Sequence, residues 1–161
     1  MFNRFLPQRI DNTYGGSRLA LWLFGLLLLI KMGMSLNSIF NGASVASSAD
    51  GIPLDTYSAA AASTIVSLFG LLGLSRLTTC LLGILVLVRY RGLVPFMFAL
   101  LLLEHLSGRL ILYFIPILRT GTPPGFYVNL VLLAVMLLGL ALSLRGRPSS
   151  GTGMIGDTVR P

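Results

Sequence analysis

A chain of 161 residues that is 55% hydrophobic and only 11% charged lacks the polar material to cover a water-facing surface, for which about 25% charged residues is usual. With a mean hydropathy of +0.86, its expected solvent is lipid, and its length fits one domain. The net charge of +7 comes from arginines gathered in short connections and tails, with no zinc-finger, RNP-like or basic-helix pattern. Nucleic acid is therefore not an expected partner, and membrane lipid is.

Residues 1–17 form a basic arm carrying Arg4 and Arg9. The first apolar run, beginning LALWLFGLLLLI, predicts a helix over about 18–40, since about 20 apolar residues cross the hydrocarbon layer. A basic arm before an apolar run also fits a signal peptide. The small residues at Ser44-Val45-Ala46 and Ser47-Ser48-Ala49 resemble cleavage sites, but they lie too far beyond Ile30, where the apolar core ends. We therefore read an uncleaved helix.

The connection from Asn41 to Tyr57 is small, polar and turn-rich. A second helix is expected over about 57–89, with Pro53 and Asp55 or Thr56 as start signals. From Asp55 to Val88 it would measure about 50 Å, so it is expected to overshoot the bilayer through Ser58 to Ser63. A third helix is expected over about 92–118 and a fourth over about 125–145, joined by a tight turn holding Gly121, Pro123, Pro124 and Gly125. The tail over 146–161 is Gly/Ser-rich and expected to be a disordered cytoplasmic segment.

Lipid forces the backbone to bond to itself, and the alternation of barrel strands is absent, so the spans should be helices. The expected fold is an all-α membrane protein, a four-helix transmembrane bundle. Orientation follows from the flanks. Arg18, Arg89, Arg91, Arg145 and Arg147 cluster on one side. The first outer connection has no Lys or Arg but carries Asp50 and Asp55, and the third has only Arg119. Both termini are thus expected in the cytoplasm. Trp22 and Tyr90 fall near one interface, and Tyr57, Tyr113, Phe126 and Tyr127 near the other.

Ionisable residues inside a membrane are expensive and point to function. Here they are Lys31, Arg76, Glu104, His105 and Arg109. Lys31 lies 13 residues beyond Arg18, Arg76 the same distance before Arg89, and Glu104 the same distance beyond Arg91. Each count is about 20 Å of rise. The three charges, with His105, are expected in one layer beyond the bilayer centre, and Arg109 about 27 Å up, near the outer interface.

Helical spacing puts Lys31, Ser35 and Ser38 on one face of the first helix. On the second, Ser63, Ser67, Gly70, Gly73, Arg76, Cys80 and Gly83 form a small-residue stripe for close approach. Glu104, Ser107 and Gly108 share one side of the third. The fourth helix carries no charge and is expected to close the bundle as a wall, with Asn129 its one strongly polar group.

A single cysteine, Cys80, and a single histidine, His105, rule out an internal disulfide and argue against a metal site. Cys80 reads as a packing residue. No nucleophile, base and acid fall at a catalytic spacing, so no catalytic residue is assigned and an enzyme is not expected. Two readings of the charges compete. Glu104 neutralises a cation to fix helix pairing, in a structural or accessory subunit with a membrane-protein partner or a second copy. Alternatively, the excess of cations over Glu104 holds a lipid, a quinone or a small anion. Proton-coupled transport through Glu104 and His105 is a third reading. No cofactor is required, although a quinone or bound lipid would fit.

The segments FGLLLLIKMGMSLNSIFNG and RYRGLVPFMFALLLLEHLSGRLI, separated by a polar outer loop, resemble small uncharacterised bacterial inner-membrane proteins. The layout, a short first helix with a lysine and then a long outer loop and three spans, is also similar to the DoxX-like superfamily. That resemblance implies a bacterial inner membrane. Some DoxX-like members are linked to quinone or thiol oxidation. Lys31 and its surroundings match in character, whereas the Glu104-His105 pair lies outside the family's pattern, so no activity is carried over.

Overall fold

The structure is a computed structural model that describes residues 14–145. Arg4, Arg9 and the tail expected over 146–161 lie outside the described residues. Helix α1 spans Arg18–Phe40, capped by Ser17, whose hydroxyl accepts the Ala20 N–H at 3.3 Å. Such a cap satisfies one of the orphan donors of a helix start. Helix α2 spans Ala59–Arg89, α3 Val94–Phe114 and α4 Pro124–Leu144. Pro95 and Pro124 sit in first turns, where the missing N–H has no helical partner to lose. All four helices are long and apolar enough to cross a membrane, the architecture of a multi-pass helical membrane protein.

Two helix ends depart from the sequence reading. The second helix starts at Ala59, because the Ser58 hydroxyl accepts the Ala61 N–H. Pro53, Asp55 and Thr56 instead belong to a separate tight turn over Leu54–Thr56. From Ala59, α2 runs 31 residues without interruption, about 46 Å. The third helix stops at Phe114, short of the expected Leu118. Ile115, just before Pro116, adopts φ −124° and ψ 79°, as the proline ring disfavours helix in the residue ahead of it.

Helix α1 packs most extensively against α2. Pairs α1–α4 and α3–α4 follow, while α2 and α3 meet only sparsely. The chain alternates direction, so Arg18, Arg89, Arg91 and Arg145 fall at one end, the basic end. Here the core is dense. Phe24 and Phe98 are fully buried and meet edge to face at 5.0 Å, with Leu27, Leu101 and Met136 around them. Small residues set the spacing: a Cβ at Gly139 would fall on the Phe98 ring, and one at Gly83 would lie 2.6 Å from a Leu28 methyl. Tyr14 tucks against this core, and burial pushes its phenol up to about 12.

The small-residue stripe of α2 works only in part. Gly73, Cys80 and Gly83 are buried, and a Cβ at Gly73 would sit 2.9 Å from the Ser35 carbonyl. Ser63 and Ser67 are exposed and Gly70 faces open space. The cause is the length of α1: it ends at Phe40, and Gly42 already lies against Val66 and Phe69. Beyond that level α2 has no α1 alongside.

At the end opposite the basic one, the first and third connections join. A wide turn over Val45–Ala49 closes with the Asp50 N–H donating to the Val45 carbonyl. Gly51 then takes φ +71°, a conformation that favours glycine. Its carbonyl accepts both the N–H and the hydroxyl of Thr120, at 2.8 and 3.2 Å. Gly125 lies so close to Ala49 that a Cβ would come 2.6 Å from the Ala49 carbonyl.

Candidate functional site

Where the dense core gives way, all four helices contribute to one polar cavity of about 130 Å³. Helix α1 supplies Lys31, one turn before Ser35, whose hydroxyl donates to the Lys31 carbonyl at 2.7 Å. That bond folds the Ser35 hydroxyl back onto its own helix and leaves a small surface where Gly73 approaches. The Lys31 side chain is only 11% exposed, and its Nζ lies 3.7 Å from Glu104 Oε2.

Arg76 reaches the same carboxylate from α2, its Nε 4.0 Å from Glu104 Oε1. Each oxygen of Glu104 thus faces one cation. Helix α3 also presents His105 and Arg109, one turn apart on one face. The Arg109 guanidinium lies 5.1 Å from the centre of the Phe126 ring on α4. Among the described residues no carboxylate lies within ion-pairing distance of Arg109, and the buried His105 Nε2 has no hydrogen-bond partner. Buried polar atoms are ordinarily satisfied, so this one marks a place for a partner.

Lys31, Arg76, Glu104, His105 and Arg109 all line the cavity. Arg109, expected near the outer interface, turns into this cavity and stacks on Phe126. The fourth helix is more than a closing wall, since Asn129 and Leu132 line the cavity. Asn129 was visible in the sequence as the one strongly polar group of an otherwise apolar span, but its facing depended on the packing of α3 against α4. Gly108 also lines the cavity, whereas Ser107 is exposed and does not.

Three fixed cations face one carboxylate here. Pairing removes one excess charge and leaves two. Uncompensated charge within an apolar span is costly, and Glu104 alone leaves this remainder. Oxygen atoms of an occupant, or water, would offset it. Among the described residues no group of three His, Cys, Asp or Glu side chains is placed to hold a metal ion. Cys80 is buried beside Ser35 of α1.

Compared with protein-family models, with curated proteins and with solved structures, the chain matches none.

Proposed function

We propose that this chain is a membrane-embedded binding protein whose polar cavity holds an anionic oxygen group, a carboxylate or a phosphate. The observation that carries the reading is Arg109, a cation free of carboxylates in the same cavity as the unpartnered His105 Nε2. Lys31 and Arg76 hold Glu104 and set the field. Arg109, His105 and Asn129 supply donors that no oxygen of the described residues claims. The test is calorimetric titration of the purified protein with inorganic phosphate. Arg109→Gln should weaken binding about tenfold, the loss of one charge-assisted hydrogen bond. An affinity unchanged by that substitution would sink the reading.

The accessory-subunit reading is supported by a different feature, the sharing of Glu104 between Lys31 and Arg76. It treats the pairs as a clamp that fixes helix pairing and requires no occupant, with a membrane-protein partner or second copy on the outer faces. Arg109 lies outside that clamp, so the same substitution separates the two. The proton-coupled reading has only the adjacency of Glu104 and His105 behind it. For localisation we propose a bacterial inner membrane with the basic end and both termini cytoplasmic. Its support is the basic-inside rule applied to Arg18, Arg89, Arg91 and Arg145, together with the DoxX-like layout.

A further inference from the structure

We infer that the anion is the head group of an amphiphile, loaded sideways from the bilayer through the gap between α2 and α3; this rests on the anion-binding reading above. The pairs α1–α2, α1–α4 and α3–α4 pack more extensively, whereas the consecutive helices α2 and α3 touch sparsely. The contact that bridges them at the cavity is the Arg76–Glu104 pair. Arg76 is 51% exposed and Glu104 37%, so the pair forms the rim of an opening and is not a buried contact.

Gly108 shows the same opening from α3. It follows Leu101 by two turns on the same face. Leu101 is fully buried, yet Gly108 is exposed, and a Cβ built there meets nothing within 4 Å. The face that is core at Leu101 has become a mouth at Gly108.

Access along the bundle axis is hindered. The basic end is filled by the Phe24–Phe98 core, and the other end is spanned by the Thr120–Gly51 and Gly125–Ala49 contacts. A water-soluble anion arriving through the gap would have to cross hydrocarbon. An alkyl phosphate or carboxylate would not, because its chain stays among exposed leucines such as Leu72 and Leu103 while its head reaches Arg76 and Arg109. Apolar chains are at home in that surface, and the cavity volume of about 130 Å³ suits a head group, not a whole lipid.

The experiment uses the full chain in nanodiscs of phosphatidylcholine, whose zwitterionic head competes weakly. Binding of dodecyl phosphate is compared with that of inorganic phosphate. Dodecyl phosphate should bind roughly tenfold tighter or more. Arg109→Gln should weaken both probes. Gly108→Leu, which narrows the mouth, should weaken dodecyl phosphate at least about fivefold more than inorganic phosphate. A chain-borne diazirine should label α2 and α3 peptides in the native protein and lose that labelling in Arg109→Gln. Inorganic phosphate binding as tightly as dodecyl phosphate, or labelling confined to α1 and α4, would overturn sideways loading and leave the anion site standing. Failure of both probes to bind would remove the anion site as well.

Discussion

The two halves of the bundle solve opposite problems with similar residues. Toward the basic end, glycines serve close approach: Gly83 receives Leu28 and Gly139 receives Phe98, and the seam is filled by Phe24, Leu101 and Met136. Beyond the level of Lys31 the glycines divide: Gly73 still meets α1 closely, whereas others leave space. Gly108 and Gly70 have nothing near them, and the gap left by Gly108 joins a cavity lined by charges. A small residue therefore has no fixed meaning in a membrane helix. It permits contact where a partner is present and produces an opening where the partner has diverged.

Substitution of glycines should break this comparison most sharply. Gly73→Leu drives a side chain into the Ser35 carbonyl, backbone that cannot swing aside, and into the Ser38 Cβ fixed beside it. It should cost about 3 kcal/mol or more, measured as lost resistance to denaturant-driven unfolding in micelles. Gly108→Leu meets open space and improves helix propensity by as much as about 1 kcal/mol, so it should be neutral or stabilising by the same measurement. Equal losses at both positions would mean that the α2–α3 side is as closed as the α1–α2 seam.

Next in size is Glu104→Gln. Removing the carboxylate leaves Lys31 and Arg76 facing each other without compensation. The pair is neither fully exposed nor fully buried, which places the cost between the extremes for such pairs, about 2 kcal/mol. An anion in the cavity should restore much of it, so added phosphate should raise the melting temperature of Glu104→Gln more than that of the native chain. A variant that phosphate does not rescue would favour a clamp over a site.

The smallest effect belongs to the joined connections. Burial raises the Asp50 carboxyl above its usual range, against the pull of Arg119 and then Arg76. A carboxyl whose folded pKa is raised contributes stability that is full below its unfolded pKa and is lost as pH rises through the folded one. Stability should therefore increase slightly on acidification from neutral pH toward the ordinary carboxylate range. Asp50→Asn should raise stability at neutral pH and flatten that slope, read from pH-dependent melting. An unchanged slope would show that Asp50 is as well solvated in the fold as in the unfolded chain.

Much of the architecture was legible because lipid enforces it. Runs such as LALWLFGLLLLI have no option but helix once water is excluded, and all four spans began within about two residues of expectation. The failures were local. Ser58 displaced the Pro53–Thr56 start signals because a single hydroxyl accepting the Ala61 N–H decides where a helix begins. Pro116 stopped α3 although the apolar run continued, since hydropathy reports solvent preference and not backbone geometry. The stripe on α2 was read as uniform, but spacing alone carries no information about how far a neighbour extends.

Counting from basic flanks also put Lys31, Arg76 and Glu104 at one level, because helical rise is constant and the flanking arginines share one end of the bundle. By itself, then, the sequence determined how many helices are long and apolar enough to cross a membrane, which of them carry charge, and at what level along each helix. Only the tertiary structure decided that α2 and α3 part, that Arg109 and Asn129 turn into the same space as Glu104, and that a cavity lies beside the ion pairs. Depth depends on position along one helix, which the chain encodes locally. Facing and opening depend on how closely separate helices pack, which is set by side chains distant in sequence meeting at Gly73, Gly83 and Gly139.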